Sequence, residues 1–231
     1  MKRKYIKFFH TNKNIREDFS PSKKHLPEWY KKVPPYQDKN SNLPILTTVK
    51  KCIPFLEGMS LGYMVVTSQD ILITQHTETK EYDIQWSMKL DNLVYIKHRD
   101  FPINIPVQVG FRDTHFVWSI PFTFLLPKGY SALITHPINR TDLPFYTTSG
   151  VVDTDNLPMT RGDIPFLLKE DFSGVIPAGT PVIQIIPFKR EPWGRAFSEK
   201  LEEMQNSTSF KIARVFTGFY KKSVWKQKDF E

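Results

Sequence analysis

The sequence predicts a mainly β protein, a single rolled antiparallel body with a short helix near the N-terminus and another near the C-terminus. Three observations lead there. Eighteen prolines outnumber ten glycines in 231 residues, which favours short extended segments broken by rigid turns over long buried helices. Apolar runs at 62–66, 70–74 and 82–86 are too close together for crossover helices, so they read as an antiparallel meander. A strand, Pro-x-Gly, strand unit occurs twice, around Pro127-Lys128-Gly129 and around Pro177-Ala178-Gly179. Proline presets the first central dihedral of a turn and glycine relaxes the next, so both units read as corners of one roll.

The elements follow in order. Residues 4–9 form a first strand. Residues 20–22 and 27–36 form turns around one helical turn whose Trp29 and Tyr30 either pin the segment to a core or present an aromatic surface. Residues 47–59 read as a short helix opened by a threonine cap, with Val49, Ile53 and Leu56 on one face and Pro54 bending or shortening it. Strands are expected at 107–110 and 115–118. Beyond Pro192-Trp193-Gly194 the composition changes, and Ser198 caps a polar helical pattern that runs through Phe216 with an interruption at Asn206-Ser207-Thr208. The tail carries Phe219, Tyr220 and Trp225, aromatics that call for a surface to cover. The organisation is then an N-terminal arm packed on the core at 1–46, a β-rich core domain at 47–194, and a C-terminal helix with an aromatic, basic tail at 195–231.

Composition narrows the function classes. The formal charge of +8 is concentrated at the two ends, which favours solvated faces first, contact with an acidic protein second and nucleic acid third. A single cysteine, Cys52, excludes an internal disulfide framework and a thiolate metal cluster, and reads as core or semi-buried filler. The six histidines lack ligand spacing, so no metal is expected, and no cofactor. Neither a glycine-rich phosphate loop nor a nucleophile elbow is present. The longest apolar runs fall short of a membrane span.

The densest polar stretch is 136–143, followed by 149–156. A carboxylate at a strand end can activate water, while arginine and hydroxyl groups can hold phosphate oxygens. The same groups satisfy loop backbones through Asx turns and an arginine–carboxylate pair. For Asp153, loop structuring is the weightier of the two readings.

The runs Leu126–Leu133, Arg140-Thr141-Asp142-Leu143, Gly150-Val151-Val152-Asp153 and Gly179–Ile186 resemble the core of the trimeric dUTPase and dCTP deaminase β-roll, a β-clip fold, over residues 124–188. The resemblance implies phosphate contacts at Arg140, Thr141 and Asp142, a water-directing carboxylate at Asp153 and a strand residue at Gln184, in sites between subunits of a trimer. Two departures count against the chemistry. Asp142 stands where a phosphate-facing serine is expected, and a carboxylate repels phosphate; no glycine-rich arm closes the C-terminus. A second resemblance spans nearly the whole chain. The segments Leu26–Tyr30, Lys50–Phe55, Gly62-Tyr63, His136–Arg140 and Ile176–Pro181 are similar to an uncharacterised family carried by tailed bacteriophages. That resemblance implies a non-enzymatic structural or assembly component of the virion (head, neck or tail accessory), present in host cytoplasm during assembly. Its partners would be other virion proteins and further copies of itself, with nucleic acid weakly supported and no membrane. The expected binding residues are Arg140, Thr141, Gln184, Trp29, Tyr30, Tyr220 and Trp225. The alternative is a dUTPase-like nucleotide hydrolase or nucleotide-binding protein using Asp153 with Arg140 and Asp142.

Overall fold

The computed structural model describes residues 4–10, 18–37, 47–79, 81–86, 93–99, 104–156, 162–197, 200, 202–203 and 220–231. The chain divides into two compact units, one of Met1–Lys32, Glu57–Arg190 and Phe230–Glu231, the other of Val33–Leu56 and Glu191–Asp229.

The first unit is built from antiparallel strands, numbered here in chain order. A five-stranded sheet runs β11 (Gly150–Val152), β9 (Tyr130–Thr135), β14 (Pro181–Lys189), β3 (Tyr63–Val66) and β2 (Phe19–Pro21). A four-stranded sheet runs β10 (Phe145–Thr147), β12 (Gly162–Lys169), β7 (Phe111–Ile120) and β6 (Tyr95–His98). Three strands, β13 (Gly174–Ile176), β4 (Ile71–Gln75) and β5 (Tyr82–Trp86), make a third sheet, and β1 (Lys7–His10) pairs with β8 (Phe122–Leu125) in a fourth.

The mainly β expectation holds, but the single rolled body does not form: the strands sort into separate open sheets with free edges. The two Pro-x-Gly turns explain why. In each, the amide three residues on bonds back to the proline carbonyl, Tyr130 to Pro127 at 3.1 Å and Thr180 to Pro177 at 3.2 Å. Proline therefore sits one position earlier than expected, at the first corner, while Gly129 (φ 81°) and Gly179 (φ 79°) supply the left-handed position. Strands on the two sides of each turn do not pair. The first turn passes the chain from β8, paired with β1, to β9, paired with β11 and β14; the second passes it from β13 to β14. Each turn transfers the chain between sheets instead of closing one. The expected meander also splits between sheets: β4 pairs with β5, whereas β3 joins β14 and β2. Residues 107–110 form no strand and lead through Gly110 (φ 81°) into β7.

Alternation on the strands produces a shared apolar cluster. The fully buried Trp118 stacks on Phe166 (ring centroids 4.3 Å, 19°) and meets Phe145 edge-on at 4.9 Å. Its indole N–H donates to Thr147 Oγ1 (3.1 Å), whose hydroxyl donates to the Val182 carbonyl (2.7 Å). A buried indole and a buried strand carbonyl are thus satisfied by one side chain.

Two α-helices in the N-terminal part are short: α1 (Glu28–Lys32) and α2 (Ile53–Ser60). The expected helix at 47–59 is divided. Thr48 caps a single 3-10 turn at Val49–Lys51, Cys52 is extended, and α2 then starts with the Leu56 amide bonding to the Cys52 carbonyl at 3.2 Å. Pro54 is tolerated only in the first turn, where its missing N–H has no intrahelical partner to lose. Cys52 is exposed at this break rather than semi-buried.

In the second unit Tyr36 bridges to Thr47, the Lys51 ammonium lies 4.9 Å from the Tyr36 ring, and residues 220–224 form a π turn closed by the Trp225 amide on the Tyr220 carbonyl (2.7 Å). Most of the expected C-terminal helix at 198–216 lies outside the described residues, as does Phe219. No helix among the described residues is long and apolar enough to cross a membrane.

Candidate functional site

The turn that follows β9 is shaped by a buried glutamine. Gln184, fully buried on β14, accepts the Ile138 amide on Oε1 (2.9 Å) and donates through Nε2 to the carbonyls of Gly58 (2.9 Å) and Leu61 (2.6 Å). Those carbonyls belong to the last turn of α2 and the residue just beyond it, where helices leave acceptors unsatisfied. One side chain therefore caps α2 and anchors residues 137–138. Gly58 allows the approach, since a Cβ there would stand 3.0 Å from the Ile138 methyl.

His136 fixes the other side of the turn. Its Nδ1 accepts the Thr147 amide (3.2 Å) and its Nε2 lies 3.0 Å from the Arg140 carbonyl. These partners require the neutral tautomer with the proton on Nε2. Burial is the main cause that pushes His136 below the ordinary histidine value, opposed by its bond to the Arg140 carbonyl. The ring stacks obliquely on Tyr146 at 5.1 Å.

Arg140 and Asp142 form a bidentate pair, Nε to Oδ1 and Nη2 to Oδ2, both 2.9 Å. The arginine side chain is 10% exposed and the aspartate 37%. Burial alone would raise the Asp142 carboxyl; the hydrogen bonds and charge of Arg140 outweigh it, with a smaller contribution from the Trp29 indole, and hold it below the usual carboxylate value. His25 is lowered by burial, then by Lys24 and Arg140, which puts it within reach of the same charge.

Beside this turn lies a cavity of about 460 Å³ lined by Arg140, Thr141, Asn139, Lys169 and the rings of Phe111 and Tyr146, among others. A second cavity, about 380 Å³, adjoins it and is lined by Asp142, Phe172 and Ile176; Leu143 and Lys169 line both. The first combines aromatic faces, two cations and hydroxyl and amide groups, a set suited to a flat ring carrying an anion.

Asp153 belongs to a different cluster. The Ser131 hydroxyl donates to its Oδ1 (2.5 Å), and Arg190 Nη1 lies 3.2 Å away. Arg190 also pairs with Asp155, whose carboxylate accepts the Gly129 amide (2.9 Å). The hydrogen bond from Arg190 is the main cause that depresses the Asp155 carboxyl. Ser131, which holds Asp153, and Thr135, which lines the cavity, are four positions apart on β9, about 13 Å along a strand. Within one chain Arg140 and Asp153 have separate partners.

Of the residues singled out in the sequence, Arg140, Thr141, Asp142 and Trp29 meet at one turn. Gln184 lies behind it with its amide occupied by backbone, and Tyr30, 2% exposed, packs edge-on to Trp29 at 5.8 Å. Tyr220 (42% exposed) and Trp225 lie in the second unit. Sequence reasoning missed Lys169, Ser131, Asp155 and Arg190. Each is brought in by strand register, and only Asp155, two residues after Asp153, carried a local signal. Among the described residues no group of three His, Cys, Asp or Glu side chains could hold a metal ion.

No protein-family model matches the chain, and no curated protein matches it by sequence. Among solved structures it is similar to the dUTPase of Staphylococcus bacteriophage 80alpha. Against a glycine-to-serine mutant with dUpNHpp, the identity is 11% and the TM-score 0.37, covering 86% of this chain and 90% of that one. Against a tyrosine-to-isoleucine mutant of the same dUTPase, the values are 10%, 0.35, 84% and 96%. At these scores the resemblance to a phage dUTPase is weak, and no residue role is transferred from it.

Proposed function

We propose that this chain binds a nucleotide-class ligand, a heteroaromatic ring bearing phosphate, in the cavity beside residues 135–146. The observation that carries this reading is the meeting of Phe111 and Tyr146 with Arg140 and Lys169 around one space of about 460 Å³. Aromatic faces hold a base by stacking, and two cations hold an anionic group. The hydrolytic form of the reading makes Asp153, presented by Ser131 and Arg190, the carboxylate that orients water; because Asp153 lies outside the cavity of its own chain, this form requires the Asp153 of a second copy to face the ligand.

Calorimetric titration with a panel of nucleotides tests the binding. Saturable uptake is expected, weakened by Tyr146→Ala in a protein that still melts cooperatively. Failure of every nucleotide to bind removes the reading. Asp153→Asn separates its two forms: phosphate release lost with binding kept supports hydrolysis, whereas a wild-type protein that binds without turnover leaves a binding protein.

A second reading is a non-enzymatic virion component that contacts other virion proteins or its own copies, and it draws support from exposed apolar side chains. Trp193 is 88% exposed and Phe197 91%. Large exposed aromatics commonly mark contact surfaces. Co-sedimentation with intact particles, reduced by Trp193→Ser with Phe197→Ser, is the expected result; a protein absent from purified particles counts against this reading.

A further inference from the structure

We infer that the cavity selects nucleoside monophosphates and disfavours di- and triphosphates, with Asp142 as the excluding group and Lys169 as the phosphate contact. This inference deepens the nucleotide-binding reading above and rests on it.

The argument starts from how the two cavities meet. Arg140 lines the first, Asp142 the second, and Leu143 and Lys169 line both. The bidentate Arg140–Asp142 pair therefore marks the passage from one cavity to the other. A ligand seated against Phe111 and Tyr146 that extends a phosphate chain past Lys169 enters the space lined by the Asp142 carboxylate.

Charge decides how long that chain can be. Arg140 and Lys169 each contribute one positive charge and Asp142 one negative. His136 contributes none in its bonded state, because Nδ1 accepts from Thr147 and Nε2 faces a carbonyl. Two of the guanidinium donors of Arg140 are already used by Asp142, so among the described residues Lys169 is the cation of this set with no anionic partner inside the protein. One phosphate group carries about −1.5 to −2 at neutral pH, and a single ammonium beside a half-neutralised guanidinium suits it. Every further phosphate adds negative charge on the side where the carboxylate stands, and like charges in a partly enclosed cleft repel strongly. The second cavity also has apolar walls, Phe172, Ile176 and Pro177 among them, which offer a phosphate chain no hydrogen bonds.

The test is calorimetric titration of the full-length protein with mono-, di- and triphosphates of each deoxynucleoside, with and without magnesium. Wild-type protein is expected to bind the preferred monophosphate at least about tenfold more tightly than its triphosphate, a gap that narrows at high salt because screening weakens the repulsion. Asp142→Asn keeps the shape and is expected to close most of the gap by gaining triphosphate affinity. Lys169→Gln is expected to weaken monophosphate binding about tenfold, as loss of a charge-assisted contact does. Triphosphate binding equal to or tighter than monophosphate binding in the wild type overturns the inference while leaving the nucleotide reading intact. So does a preference that neither salt nor Asp142→Asn alters. If no nucleotide of any length binds, both fall. Should Asp142→Asn lower the melting temperature, the salt dependence of the wild-type preference decides the matter without a variant.

Discussion

Replacing Gln184 with leucine removes three hydrogen bonds and leaves the space filled. The Ile138 amide and the carbonyls of Gly58 and Leu61 lose their side-chain partner. An unsatisfied buried group costs about 1–3 kcal/mol, carbonyls toward the lower end. Leucine offsets about 1 kcal/mol through its greater apolar burial. The net expectation for Gln184→Leu is a loss of about 3 kcal/mol, read as a lower midpoint in urea unfolding with an unchanged slope. Gln184→Glu adds a signature that packing alone cannot imitate. Its carboxylate still accepts from Ile138 but faces two carbonyl oxygens without a proton to give, whereas the neutral acid can donate one. The folded pKa of the new Glu is thereby raised, so its deficit relative to wild type should be smaller at pH 4 than at pH 8. A loss below about 1 kcal/mol for Gln184→Leu, or a Gln184→Glu deficit that is flat with pH, refutes the account of Gln184 as the tie between α2 and the cavity turn.

Three further outcomes follow from the same geometry. Gly62 has φ 70°, and a Cβ there would stand 2.1 Å from the Ile185 carbonyl oxygen; Gly62→Ala should cost about 3 kcal/mol, while Gly129→Ala, with φ 81° but open space, should cost about 1 kcal/mol, both by denaturant titration. Thr147→Val leaves the Trp118 indole and the Val182 carbonyl unpaired and should cost about 2 kcal/mol, and an unchanged midpoint would remove Thr147 as the link. His25 and His136 are both held below the ordinary 6.5 by burial, so the unfolded chain binds their protons first; stability should be full above pH 6.5 and fall as pH drops toward their folded values, with His136→Gln flattening part of that slope in thermal melts.

Much of the strand content was legible because alternation and proline–glycine punctuation are local. Val65, Ile71, Ile73, Ile134 and Ile183 bury as their patterns require. Pairing was less legible, because short strands joined by sharp turns do not declare their partners; β8 and β9 look like a hairpin in sequence and belong to different sheets. At the cavity, Arg140, Thr141 and Asp142 were visible as a contiguous polar run, and Trp29 as an aromatic on a short helical turn. Lys169 was not, since it enters from the end of β12 and its charged neighbours Glu170 and Asp171 read as an ordinary solvated turn. Gln184 was visible for the wrong reason: a lone amide on an apolar strand carries the same letter whether it meets a ligand or two backbone carbonyls. Arg190 and Asp155 show the same limit: Arg190 follows β14 and Asp155 follows β11, and the two meet because both strands pair with β9.

Open sheets leave strand borders that other chains could copy onto. Here β2 and β11 bound the five-stranded sheet, β10 one side of the four-stranded sheet and β13 one side of the three-stranded sheet, and each of these four is three residues long. So brief a template offers an incoming strand two or three backbone bonds and no fixed alignment, and β2 ends in a proline that lacks a donor. At these four borders brevity thus guards against fibril-like stacking without the need to seal the sheets into a barrel, whereas β6 and β5, at four and five residues, leave the longer templates on the opposite sides.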